Sequence, residues 1–383
     1  MPRSLGAAGH SFQIPRVAQG GSLFLPMLRL PGLIDPHVHL RDPGAVHKED
    51  WDSGTAAALA GGFTTVLAMP NTRPPIFDEA TLNLSLDSAR QKARCDYAQF
   101  LGAGPANAAT AASLAPRAAG LKMYLDATFG DLRLDDMLLW QAHFRNWPAD
   151  MPIVVHAESR SMAAAILLAA IHDRSVHIAH VSLKEEILLI KAARERGLRV
   201  TCEVAPHHLF LTDDSAGEGL LRGHPGRSEV RPRLARRVDV AALWENLDMI
   251  DCFATDHAPH TLEEKDSAEP PPGFPGLETA LPLFLTAVHE GRLTMEQITE
   301  KCHTNPRRLF NLPAQPETWI EVDPDAGYEI RAADQHTRCG WTPYEGWKVR
   351  GRLRRVVLRG REVFKDGELS ASPGTGRNVR SPG

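Results

Sequence analysis

From Ile34 onward, short apolar runs of strand character alternate with helical segments, and no other feature of the chain constrains its fold as strongly. The strand candidates are Phe63–Met69, Tyr97–Leu101, Leu121–Leu125, Ile153–His156, Val176–Val181, Leu198–Val204 and Met249–Ala254. Helices are expected at Trp51–Ala60, Glu79–Arg94, Asp135–Phe144, Met162–Ile171, Leu277–Glu290 and Thr294–Lys301. The best-signalled helix opens on Ser182-Leu-Lys-Glu185, read as a capping box, and closes through Arg194 and Arg196 on Gly197. Such alternation over about 270 residues predicts a parallel sheet with crossover helices. The run has room for eight strands and carries no G-x-G-x-x-G fingerprint, so an α/β fold of the (β/α)8 (TIM) barrel type is expected rather than a dinucleotide-binding sheet.

Beyond about Leu312 the pattern changes. Val349–Leu358 and Arg361–Phe364 are strand-like, with a turn at Lys365-Asp-Gly367. The reading is a disordered leader over 1–22, a barrel over 23–312, a small β appendage over 313–367 joined by the residues before the first barrel strand, and a linker or tail over 368–383. The leader holds Arg3 and Arg16 and no acid, but Pro2 and Pro15 and the lack of amphipathic pattern argue against a targeting peptide. A net charge of −4 gives no reason to expect nucleic-acid or anionic-membrane binding. Five scattered cysteines with no C-x-x-C pair suit a reducing compartment, and a cytoplasmic location is expected.

Barrel active sites form at the C-terminal ends of the strands. In this chain those ends carry His37 and His39, Lys122 within Leu121–Leu125, His156, His180 and Asp256. In an extended strand His37 and His39 face the same way, so both can reach one divalent ion. Taken singly each residue has a plainer reading: a hydrogen-bonded core histidine, a paired lysine, a helix cap. Their joint placement is what points to a metal-dependent site.

These residues lie in or beside the strings Leu33-Ile-Asp-Pro-His-Val-His-Leu-Arg-Asp-Pro-Gly44, Met69-Pro-Asn-Thr72, Cys202-Glu-Val-Ala-Pro-His-His-Leu-Phe-Leu211, Asp256-His-Ala-Pro-His-Thr-Leu-Glu-Glu-Lys265 and Pro270-Pro-Pro-Gly-Phe-Pro-Gly-Leu-Glu-Thr279. On them the sequence resembles the amidohydrolase superfamily, and within it the dihydroorotases, from about Leu30 to about Gly367. It is most similar to the dihydroorotase domain of the animal multifunctional protein that also carries carbamoyl-phosphate synthetase and aspartate transcarbamylase. The resemblance implies two Zn2+ ions, one held by His37, His39 and Asp256 and the other by His156 and His180, with Lys122 bridging them as a CO2-derived carbamate. It implies Asp256 as the proton carrier, and Arg41, Asn71 and His260 on the substrate's carboxylate, with Arg231 and Pro272 contributing mostly through backbone. Asp126–Gly130 sits where relatives carry a mobile loop, Thr128 and Phe129 matching its tip. The implied reaction is interconversion of dihydroorotate and N-carbamoyl-aspartate, by a homodimer that is free or fused to the other two enzymes.

Two departures stand out. Ala179 occupies a position where animal relatives usually have cysteine, which argues against a third metal there, Glu203 alone being weak evidence for one. Asp126-Ala127 also differs from the usual loop residues. Two other readings compete: a hydrolase of uncharged cyclic amides such as dihydropyrimidinase or allantoinase, and a non-catalytic scaffold. An uncharged ring would leave Arg41 without a carboxylate, and scaffold relatives typically lose metal ligands that this chain keeps.

Overall fold

The structure is a computed structural model that describes residues 27–128, 130, 132–217 and 219–380. The expected leader over 1–22, and Phe129, lie outside the described residues.

The strands are β1 (Leu28–Pro31), β2 (Leu33–Val38), β3 (Phe63–Ala68), β4 (Asp96–Gln99), β5 (Leu101–Gly102), β6 (Leu121–Tyr124), β7 (Ile153–His156), β8 (Val176–Ile178), β9 (Val200–Val204), β10 (Cys252–Phe253), β11 (Trp319–Glu329), β12 (Lys348–Leu358), β13 (Arg361–Lys365) and β14 (Glu368–Leu369). Parallel pairing runs β2-β3-β4 in one sheet and β5-β6-β7-β8-β9-β10 in another. Only Phe100 separates β4 from β5, and its amide donates to Ala68 O at 2.9 Å. At the other end a parallel bridge pairs Val38 with His257, and the His39 amide donates to His257 O at 2.8 Å. The fold is therefore α/β with parallel strands, as the alternation predicts.

The strands read as continuous apolar runs because both faces are covered. Val66 and Ala68 of β3 and Ile153 and Val155 of β7 join one hydrophobic cluster, whereas Leu67 and Val154 join a second with Ile34, Phe100, Ala179 and Phe310. Side chains that alternate between two apolar layers leave polar groups an outlet only at the strand ends.

Helices α1 (Trp51–Ala60), α2 (Glu79–Lys92), α3 (Met137–Asn146), α4 (Arg160–Ile171), α5 (Lys184–Glu195), α6 (Pro206–Phe210), α7 (Arg237–Glu245), α8 (Leu262–Lys265) and α9 (Leu277–His289) fall between or after the strands. The cap of α5 differs from the expected Ser182–Glu185 box. Glu186, one residue later, accepts from the Ser182 and Leu183 amides at 3.1 Å each and from the Ser159 amide at 2.9 Å. A buried carboxylate that can serve two helix starts displaces the hydroxyl. Among the described residues no helix is long and apolar enough to cross a membrane.

The third sheet, β1-β11-β12-β13-β14, is antiparallel and draws β1 from ahead of the parallel strands. β11 was not foreseen because Asp323, Pro324, Asp325 and Gly327 break its apolar alternation; the register against β12 shifts there. The segment expected to be a tail is instead docked. β14 adds to the sheet, Arg377 O accepts from the Tyr97 amide, and the Val379 amide donates to Tyr97 O, each at 2.9 Å. Backbone pairing with the edge of β4 needs no apolar side chains, so composition did not reveal it.

Candidate active site

One cavity at the strand ends is lined by His37, His39, Arg41, Asn71, Thr128, His156, His180, Arg231, Asp256 and Pro272, together with Tyr124, Ala258 and Gly273. Lys122 and His260 are fully buried beside it. His37 lies in β2 and His39 just beyond, their rings 5.3 Å apart, and His180 stands 5.2 Å from His37. Asp256, His180 and Arg41 adopt positive φ of 47°, 35° and 58°. Non-glycine residues hold that strained backbone only where the surroundings over-determine it, and here all three turn a side chain into the cavity.

Each histidine of the first pair is fixed from behind. His37 Nδ1 is 2.5 Å from Glu203 Oε1, and His39 Nδ1 donates to Asn71 Oδ1 at 2.7 Å. Both Nε2 atoms then face Asp256 Oδ1, at 3.3 and 3.2 Å. Donor atoms of His37, His39 and Asp256 lie within 4.8 Å of one another, a group able to hold a metal ion. Burial pushes His37 down to about 4 and His39 well below the usual imidazole range, Lys122 and Arg41 respectively adding to it, so both rings are neutral, the ligating form. Against the upward push of burial, His37 and His177 hold the Glu203 carboxylate below its ordinary range.

The second pair meets directly, His156 Nδ1 to His180 Nε2 at 2.9 Å. His156 Nε2, His180 Nδ1 and Lys122 Nζ are buried with no hydrogen-bond partner. Buried polar atoms without hydrogen bonds are costly unless something absent from a bare chain satisfies them, and of the three only His156 Nε2 has a carboxylate near it, Glu158 Oε1 at 3.6 Å. Two imidazole nitrogens and an amine fit a cation plus an anionic modification of the lysine. Burial also brings the Lys122 ammonium down to about 8, opposed by Glu203 and Asp256, and a neutral amine is the form that reacts with CO2.

A cationic wall stands on the other side of the cavity. Arg41 Nε donates to Pro259 O at 3.1 Å and its Nη2 lies 3.0 Å from His260 Nε2. His260 Nδ1 accepts from Lys48 Nζ at 3.0 Å, and Lys48 pairs with Glu264 at 2.9 Å. Burial, then Arg41 and Lys48, holds His260 well below the imidazole range. Arg41, Lys48 and a neutral imidazole against a single carboxylate make a wall suited to an anion. Asn71 reaches the cavity but commits its oxygen to His39, so it can meet a substrate only through its amide nitrogen. Arg231 pairs with Glu229 at 2.8 Å and reaches the cavity edge.

Sequence reasoning did not single out Lys48, Glu264 or Tyr124, and it gave Glu203 no structural role. Glu203 supports an expected effect of its own. Glu203→Gln should weaken metal retention about 10–100-fold by loosening His37, as outer partners of ligating histidines generally do. Chelator competition on the folded variant checks this, and unchanged retention would show that His37 needs no carboxylate behind it.

Residues 27–102 match the family model described as Dihydro-orotase-like. The chain is 56% identical to the multifunctional protein pyr1-3 of Dictyostelium discoideum, over 93% of its own length and 16% of that protein. It thus spans about a sixth of that relative. It is 37% identical to the dihydroorotase of Pyrococcus furiosus, over 92% of this chain and 85% of that one. Among solved structures it resembles the L-hydantoinase (dihydropyrimidinase) of Arthrobacter aurescens, with TM-score 0.86, 25% identity and coverage of 92% and 89%. It also resembles the inactive dihydroorotase-like domain of the CAD-like multifunctional protein of Chaetomium thermophilum, with TM-score 0.78, 28% identity and coverage of 92% and 99%. A likeness in shape to both a hydantoinase and an inactive domain does not discriminate, but 37% identity to an archaeal dihydroorotase of which 85% is covered does: the chain belongs to the dihydroorotase family.

Proposed function

We propose that this chain opens and closes the cyclic amide that relates dihydroorotate to N-carbamoyl-aspartate, in pyrimidine biosynthesis. The observation that carries the reading is the meeting, in one cavity, of the His–Lys–Asp cluster with the cationic wall around Arg41. His37, His39 and Asp256 would hold one Zn2+, His156 and His180 a second, with Lys122 between them as its carbamate. Zinc, when bound, supplies Lewis acidity that acidifies water and polarises a carbonyl.

The rest is the work of the chain's own side chains. Burial raises the Asp256 carboxyl above its ordinary value, although His37 and Lys122 pull it back, and a carboxylate so placed can take the proton of the attacking water and return it at the ring nitrogen. Arg41 and His260, with the Asn71 amide, would hold the exocyclic carboxylate. Arg231 and Pro272 would shape the pocket, and Thr128 and its loop would exclude water from above. The bridge between Val38 and His257, with the join at Phe100, supports one closed barrel of eight strands carrying the β sheet as an appendage. Met137, Leu138, Leu167 and Ile171, apolar and exposed on α3 and α4, support a homodimer. That this chain spans about a sixth of a relative named as a multifunctional protein supports a place within a longer polypeptide; carbamoyl-phosphate synthetase and aspartate transcarbamylase as its neighbours, and the cytoplasm as its location, are part of the same proposal.

The test is a panel of substrates on zinc-loaded protein. Dihydroorotate should turn over, and dihydrouracil, hydantoin and allantoin should not. Turnover of an uncharged ring with none of dihydroorotate would replace this reading with that of a hydantoinase, and silence on all four would favour a scaffold.

A further inference from the structure

Lys265 is fully buried at the end of α8, yet its ammonium faces no carboxylate within ion-pair distance among the described residues. It donates to three backbone carbonyls: Glu229 O at 2.6 Å, Pro271 O at 3.0 Å and Gly273 O at 3.3 Å. The rings of Phe274 and Trp341 stand 5.5 and 5.8 Å from the nitrogen. An ammonium has three donors, so the group is saturated by carbonyl oxygens whose dipoles would repel one another without it.

The carbonyls belong to two separate stretches of chain. Glu229 lies two residues before Arg231, and Pro271 and Gly273 flank Pro272; Arg231, Pro272 and Gly273 all line the cavity. The stretches are further joined by the Gly273 amide donating to Glu229 O at 3.0 Å. Pro272 O is 3.1 Å from His260 Nε2, and the Trp341 indole N–H donates to His260 O at 2.7 Å. Gly273 sits at φ 145°, where a Cβ would lie 2.4 Å from Ala258 O, so this stretch has no slack with which to find another arrangement.

We propose that Lys265 is a positioning residue for substrate recognition: its ammonium clamps the stretches bearing Arg231 and Pro272 against His260 and so sets the wall that receives the substrate's carboxylate. Its ammonium meets Glu229 O, Pro271 O, Gly273 O and the rings of Phe274 and Trp341 and none of the candidate metal ligands, so its removal should act on binding before it acts on chemistry. The inference rests on the dihydroorotase reading of the cavity.

Two variants test it on zinc-loaded protein. Lys265→Met keeps the length of the side chain and removes every donor, and Lys265→Gln restores part of the donor set without charge. The expected result is a rise in KM for dihydroorotate of about tenfold or more with Met and a smaller rise with Gln, with kcat within about threefold and metal content unchanged. Wild-type KM in both folded variants overturns the proposal, as does a fall in kcat with KM unchanged. Failure of both variants to yield folded protein also overturns it, in favour of a purely structural lysine. Where wild-type protein itself ignores dihydroorotate, it is the reading of the cavity that fails, before either variant is compared.

Discussion

Lys122→Ala should lose turnover and bound metal together, with kcat falling by about four orders of magnitude, a loss of about 5.4 kcal/mol in transition-state stabilisation. The expectation follows from where the side chain lies. Lys122 is the second residue of β6, fully buried, with an orphaned nitrogen 5.2 Å from the centre of the Tyr124 ring. A bare ammonium there would repel cations from the neutral imidazoles around it, whereas a carbamate would offer two anionic oxygens. The variant removes those oxygens without disturbing Glu203 or Asn71, which orient His37 and His39 from behind. Metal equivalents per chain and kcat, measured on the same preparation, are the test. Retention of two equivalents would show that the lysine does not bridge. Retention of one would mean that only the pair His156 and His180 depends on it.

The strand-end residues were legible because two periodicities coincide. Alternation along a strand puts His37 and His39 on one side, and the βα repeat brings His156, His180 and Asp256 to the same mouth. What could not be read was any contact that owes nothing to local pattern. Lys48 and His260 meet across 212 residues of sequence, and Glu203, flanked in sequence by Cys202 and Val204, meets His37 and His177 only in the fold. A lone carboxylate looks the same in sequence whether it binds metal, caps a helix or holds an imidazole, and only the 2.5 Å approach to His37 Nδ1 assigns it. The docked segment 368–380 was illegible for another reason: it is held mostly by main-chain groups, which every residue carries. The resemblance carried over Asn71 as a carboxylate ligand, and the structure adds that its oxygen already serves His39.

Arg41→Met should separate recognition from metal binding. Arg41 is buried in the cavity wall, where burial brings its guanidinium down to about 10, and Asp256 opposes the shift. Its Nε is spent on Pro259 O, so the outer nitrogens carry whatever it offers a ligand. Truncating one member of a buried charged pair costs about 2–5 kcal/mol, and the middle of that range corresponds to a fall of about 10^2–10^3 in kcat/KM for dihydroorotate. Met fills much of the same volume, and none of the metal-site imidazoles is oriented by Arg41, so metal content should stay at the wild-type level. Arg41→Lys keeps the charge but loses the planar fork, and should fall between the two. KM for dihydroorotate, read beside metal content on the same preparation, is the sharper measurement, since Arg41 is assigned to the carboxylate and not to the metal. That KM should rise in Arg41→Met. A variant that loses its metal would show instead that Arg41 supports the cluster through Asp256, and a variant with wild-type KM would place the carboxylate elsewhere in the cavity.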